Sequence, residues 1–218
     1  MKTIRFYFDP ISPYAALAFW RLPEALVGRS YTVDYVPILF AASLKAHGHK
    51  GPAEIAPKRA WTYRQVAWLA REQGVPLRMP AAHPFNPLPL LRLAWACAPE
   101  GLTPSRRVVA RLMAHVWLAD GAAVDDATRW AALTAELAPA QAPDGEVVKQ
   151  RLRAATDEAL ARGVFGVPTF EFEGRLFWGQ DSLPMLAAAM DGDAWFDGPA
   201  WSEAEALPVG IQRNREQG

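Results

Sequence analysis

The chain has one cysteine in 218 residues, Cys97, so it cannot close an intrachain disulfide or run dithiol redox chemistry alone. It has no excess of charge either: 23 lysines and arginines balance 23 aspartates and glutamates, and no basic stripe suits a phosphate backbone. A nucleic-acid partner is therefore not expected. No uncharged apolar run approaches the roughly 20 residues that span a bilayer, so no membrane partner is expected. Arg5 and Asp9 interrupt the first apolar run before a signal-peptide core forms, and the expected location is the cytoplasm. Internal repeats and low-complexity segments are lacking. His47 and His49 stand without further ligands nearby, which argues against a metal site.

What is present describes a globular core. Apolar residues make up 51% and charged residues 21%, and the length suits one domain or one domain with a large insertion. Nine tryptophans supply core, interface or ligand-wall material. Cys97 closes the apolar run Leu90-Leu91-Arg92-Leu93-Ala94-Trp95-Ala96-Cys97 and reads as a small buried hydrophobe.

Thr3 to Phe8 alternates, with Ile4, Phe6 and Phe8 on one face and Arg5 and Tyr7 on the other, predicting a strand. Pro13 to Leu26 predicts a helix marked by Leu17, Trp20 and Glu24, with Gly28 as its stop. Tyr31 to Val36 predicts a second strand, parallel to the first in a βαβ unit. From Ala41 to Arg162 the periodicity is helical. Helices are expected at Pro57 to Gln73 (stripe Tyr63, Val66, Ala67, Ala70), Ser105 to Asp120 (stripe Val109, Leu112, Met113, Val116), Asp125 to Leu137 and Gly145 to Arg162. The prolines of Val75 to Pro89 make that stretch an irregular connection. Pro168 to Phe172 and Arg175 to Trp178 predict a hairpin about Glu173-Gly174, followed by a helix over Ser182 to Met190. The polar end, Gln212 to Gly218, is expected to fray.

Asp9-Pro10-Ile11-Ser12-Pro13-Tyr14 lies where the first strand meets the first helix. Serine is a favoured N-cap and proline suits the first helical position, so a cap alone accounts for Ser12-Pro13. Far downstream lies Gly163-Val164-Phe165-Gly166-Val167-Pro168-Thr169-Phe170, and after it Phe177-Trp178-Gly179-Gln180-Asp181. Together the three segments resemble the DsbA-like branch of thioredoxin folds. More narrowly, they resemble 2-hydroxychromene-2-carboxylate isomerases and the kappa-class glutathione transferases, over residues 3 to about 190. Redox members would carry Cys-x-x-Cys at this elbow; here the two positions hold Ser12 and Ala15.

The resemblance implies an α/β fold with a thioredoxin-like βαβ–ββα core. Residues 1–40 and 163–192 would form that core, fed by a helix from about residue 145. A helical insertion would occupy 41–144, and 193–218 would be a tail. It implies glutathione as cofactor, a cis bond before Pro168, and a Val167 backbone whose N–H and C=O are free to pair with the tripeptide as a short added strand. Ser12 would donate a hydrogen bond to the thiolate at the positive end of the helix. Asp181 would pair with the γ-glutamyl amine, with Gln180 and Ser182 beside it, although Asp181 also suits a plain cap. Lys58 would meet the glycyl carboxylate. His49 stands where relatives carry Asn, and Ser182 where many carry Arg. Tyr14, Lys50 and Asn86, the last within His83-Pro84-Phe85-Asn86, fall on the substrate side.

The activity implied first is glutathione-dependent isomerisation of 2-hydroxychromene-2-carboxylate to trans-o-hydroxybenzylidenepyruvate-type compounds in aromatic catabolism, by a homodimer acting on a small aromatic carboxylate. Conjugation or reduction of electrophiles and a non-catalytic glutathione-binding domain remain open beside it. Trp61, Trp68, Trp95 and Trp117 are candidate walls of a flat cavity, though core packing accounts for most of them. Trp195, Phe196 and Trp201 could cover the site or an interface.

Overall fold

Four strands form one mixed sheet in the order β2-β1-β3-β4. The computed structural model describes residues 1–208 and 210, so the expectation about Gln212 to Gly218 lies outside the described residues. Strand β1 (Lys2–Phe8) runs parallel to β2 (Tyr31–Pro37) and antiparallel to β3 (Thr169–Phe172), which pairs in turn with β4 (Arg175–Trp178). The alternation read in β1 holds on one side: Ile4, Phe6 and Phe8 are buried, and Phe6 stacks on Phe170 at 4.8 Å. Tyr7 is buried on the other side with Ile38, Ala159, Val164 and Val167, so both faces of this central strand are covered. At the hairpin turn Glu173 and Gly174 both take positive φ, as a two-residue type I′ turn requires.

Helix α1 (Pro13–Ala25) and helix α8 (Leu183–Asp191) pack together on the Phe6 face. Helix α7 (Glu146–Ala161) covers part of the opposite face with α4 (Leu88–Ala96). Between β2 and α7 the chain is helical, as expected: α2 (Phe40–Ala46), α3 (Ala56–Glu72), α4, α5 (Arg106–Trp117) and α6 (Ala127–Leu137). Helix α4 escaped individual prediction because six of its nine residues are buried, which leaves no polar face to reveal its period. The stripe read on α5 is buried throughout. On α3 the inward residues are Thr62, Val66 and Ala70, and Ala67 faces solvent, a correction of one position around the helix.

The tail folds back as a 3-10 turn (Ala194–Asp197) and helix α9 (Pro199–Glu205). Phe196 and Trp201 pack on Phe177 of β4, with ring centroids 5.8 and 6.4 Å away, so these aromatics extend the core within the chain. Trp95 and Trp117 are buried, whereas Trp61 and Trp68 stand 64% and 52% exposed on α3. Among the described residues no helix is long and apolar enough to cross a membrane.

Candidate active site

Ser12 caps α1, as its position before Pro13 predicted. Its Oγ accepts a hydrogen bond from Ala15 N–H at 3.2 Å, and Pro13, at the first helical position, has no N–H to leave unpaired. That leaves the Tyr14 N–H as the one backbone donor of the first turn without a partner among the described residues. Ser12 Oγ also donates to the carbonyl oxygen of Val167 at 3.3 Å. The elbow and the strand entrance, 155 positions apart, are therefore in direct contact. The Val167–Pro168 bond is cis, as expected. The carbonyl of Val167, expected free, is instead held by Ser12, and only the Val167 N–H is without a partner among the described residues. At 3.3 Å the contact is longer than the usual hydroxyl bond, so the hydroxyl gives up little by turning to another acceptor.

Asp9 lies beneath the elbow and is completely buried. Its two oxygens accept from Ile11 N–H and Phe40 N–H, each at 3.0 Å, the second being the first residue of α2. Burial pushes its carboxyl up to about 7, against the opposing pull of those two donors. The Ser12 N–H donates to the Asp9 carbonyl at 3.0 Å. Two side chains that sequence reasoning did not place here complete the support. Trp117 Nε1 donates to the Pro10 carbonyl at 2.9 Å, and His83 Nε2 donates to the Ile11 carbonyl at 2.8 Å. The only sequence signal for His83 was its place in the His-Pro-Phe-Asn stretch.

Tyr14 OH donates to Gln65 Oε1 at 2.7 Å, tying α1 to α3. Burial raises the Tyr14 pKa, the Thr62 side chain opposes the rise and the negative charge of Asp181 adds to it, consistent with the packing of the Asp181 turn against α1. Asp181 sits in a 3-10 turn (Gln180–Ser182) between β4 and α8. Gly179 N–H donates to the Pro168 carbonyl at 2.9 Å, fastening that turn to the cis-proline. Gly179 has φ +93°, and a Cβ there would lie 2.3 Å from Asp181 Oδ1, so both conformation and space demand glycine. Ser182 Oγ donates back to the Gly179 carbonyl at 2.8 Å, and neither it nor Asp181 caps the helix with its side chain. Gln180 Oε1 accepts from Gln73 Nε2 at 2.9 Å, at the end of α3, and Gln73 Oε1 is buried without a partner among the described residues.

Ser12, Tyr14, Val167, Pro168, Gln180, Asp181 and Ser182 are thus linked around the start of α1. The other candidates lie apart. His49 and Lys50 are exposed between α2 and a 3-10 turn (Pro52–Glu54), and Lys58 is exposed in the first turn of α3. No hydrogen bond or ion pair among the described residues ties these three to the elbow. Asn86 is exposed, its Oδ1 accepting from Leu88 N–H at 3.1 Å ahead of α4.

A model of the DSBA-like thioredoxin domain matches residues 3–191. A 2-hydroxychromene-2-carboxylate isomerase of Sphingobium xenophagum is 29% identical over 202 residues, covering 85% of this chain and 96% of that protein. Glutathione S-transferase kappa 1 of Rattus norvegicus is 26% identical over 214 residues, covering 89% and 92%. A solved structure of 2-hydroxychromene-2-carboxylate isomerase superposes with a TM-score of 0.75 at 24% identity, over 94% of this chain and all of that one.

Proposed function

Because the chain belongs to the DSBA-like thioredoxin domain family with a serine where redox chemistry would need a cysteine, we propose that it is a glutathione-dependent isomerase. Its substrates would be of the 2-hydroxychromene-2-carboxylate type. The observation that carries this reading is the contact of Ser12 Oγ with the Val167 carbonyl, beside N–H groups at Tyr14 and Val167 that have no partner among the described residues. A hydroxyl that can turn, one free amide at a helix start and one at a strand entrance suit a thiol-bearing peptide lying between them. The comparisons support the same choice through the names of the relatives.

Bound glutathione would supply a sulfur that adds to the conjugated ring carbon and leaves again, so that the former double bond is a rotatable single bond in between. Ser12 would release Val167 and donate to that sulfur as its anion, with the Tyr14 N–H and the helix start adding positive potential. A thiol pKa lowered by one unit corresponds to about 1.4 kcal/mol in favour of the anion. Val167 would pair its N–H and freed C=O with the cysteinyl backbone. Asp181, uncommitted to a cap, would face the γ-glutamyl ammonium beside Gln180 and Ser182. Lys58 would meet the glycyl carboxylate, with His49 and Lys50 on the approach. Asn86 and Tyr14 would lie on the side of the aromatic carboxylate. Ser12 itself would not be the nucleophile, for among the described residues no imidazole or carboxylate is hydrogen-bonded to its hydroxyl as a base.

The test is turnover of a chromene carboxylate with and without glutathione, repeated with a chloro-nitrobenzene acceptor. Thiol-dependent isomerisation is the expected result. Release of a stable adduct instead would assign kappa-type transfer, and saturable glutathione binding without either reaction would refute catalysis.

A further inference from the structure

The two peptide units that lead into Ser12 are each gripped at both ends. The Pro10–Ile11 peptide presents its carbonyl to Trp117 Nε1–H at 2.9 Å and its N–H to Asp9 Oδ1 at 3.0 Å. The Ile11–Ser12 peptide presents its carbonyl to His83 Nε2–H at 2.8 Å and its N–H to the Asp9 carbonyl at 3.0 Å. Asp9 supplies both inner grips from β1's end. The outer two come from the helical stretch between β2 and α7: His83 precedes α4, and Trp117 ends α5.

We propose that His83 is a positioning residue for Ser12: its imidazole sets the plane of the Ile11–Ser12 peptide and thereby the direction of the Ser12 hydroxyl. The inference rests on the role given to Ser12 above. A carbonyl only accepts, so the proton of the ring must sit on Nε2. Nδ1 then carries a lone pair, and Tyr63 OH lies 2.8 Å from it and 2.9 Å from the His83 carbonyl, within donating reach of either. The ring is also confined by aromatic neighbours, with centroids of Tyr63 at 5.5 Å, Trp117 at 5.6 Å and Phe85 at 6.0 Å. Desolvation lowers the His83 pKa and favours this neutral form. A neutral, rotationally fixed donor brings no charge to the sulfur's surroundings. Its effect is geometric, and a misplacement of about 1 Å at a reacting group can lower a rate about 100-fold.

The full-length protein with His83→Leu, His83→Gln or His83→Asn tests this. The amide nitrogen of glutamine reaches the place of the imidazole Nε2, whereas that of asparagine falls short of it. Two readouts are taken: hydrogen exchange at the Ser12 amide relative to core amides such as Phe6, without any ligand, and kcat and KM for glutathione-dependent conversion of a chromene carboxylate. His83→Leu is expected to speed Ser12 exchange and to lower kcat, each about tenfold or more, with core amides unmoved and KM within about twofold. His83→Gln is expected to restore both readouts, and His83→Asn to resemble His83→Leu. Wild-type exchange and kcat in His83→Leu would overturn the proposal, as would a glutamine variant no better than the leucine one. Should His83→Leu fail to fold, the glutamine and asparagine variants decide, and equal behaviour of those two overturns it. If the unaltered protein shows no thiol-dependent turnover, the role of Ser12 falls, while Ser12 exchange still decides whether His83 holds the elbow.

Discussion

A hydroxyl where a redox protein carries sulfur alters what one residue can do. Ser12 cannot form a mixed disulfide, but it can solvate a sulfur anion. If Ser12 acts as proposed, replacing it with alanine would remove a charge-assisted hydrogen bond, an effect of about 1.5–3 kcal/mol, so turnover of Ser12→Ala should drop by roughly tenfold or more. Glutathione affinity should change little; unchanged turnover would remove Ser12 from the mechanism. Asp9 makes a different prediction. Its folded pKa of about 7 lies above the ordinary 3.8, so the folded protein holds that proton more tightly than the unfolded chain does. The stabilisation is therefore complete below about pH 4 and is lost as pH rises toward 7. In Asp9→Asn that part of the fall in Tm should vanish. The overall Tm should also drop, because a carboxamide offers one acceptor to two N–H donors. Parallel Tm–pH curves for the two proteins would contradict the assignment. The Asp-Pro-Ile-Ser-Pro-Tyr run was legible because a cap and a helix-start proline are local signals. The burial of Asp9 was not, since it depends on α2 closing over the carboxylate from outside the motif.

At the scale of elements, the turn between β4 and α8 carries Asp181, and Gly179 lets it do so. Gly179→Ala would place a methyl against the Asp181 carboxylate and require a backbone region that L residues avoid. A loss of about 1–3 kcal/mol is expected, read as a lower denaturation midpoint. Asp181 should shift at the same time, so glutathione binding should weaken. Asp181→Ala should weaken binding without the stability loss, and calorimetry on the two variants separates the effects. Equal affinity in Asp181→Ala would refute the pairing with the γ-glutamyl amine. Strands and amphipathic helices were legible because their residues alternate or recur with a period. Helix α4 was not, because burial on nearly all sides erases the period, and the one-position error on α3 arose because alanine suits either face.

Across the whole molecule, one hydrophobic cluster runs from Ile4, Phe6 and Phe170 of the sheet through α1 to Val66, Leu112, Met113, Trp117 and Leu133 of the helical stretch. Sheet and helices should consequently unfold as one cooperative unit. Tryptophan fluorescence and far-UV circular dichroism should give coincident denaturation curves, and Leu112→Ala should shift both together by about 2–5 kcal/mol. Two separated transitions would show independent units. The same continuity explains how residues from α5 and the segment before α4 reach the elbow. By itself the sequence determined the four strands and the helices with a clear polar face, though not α2, α4 or α9, together with the cap at Ser12 and the absence of any cysteine beside it, because propensity, periodicity and turn chemistry act between near neighbours. Only the tertiary structure decided that the Val167 carbonyl would be occupied by Ser12, that Asp9 would lose all contact with water, and that His83 and Trp117 would hold the peptides before Ser12. Those outcomes depend on which distant groups the shared core brings within hydrogen-bonding distance, and no local pattern encodes them.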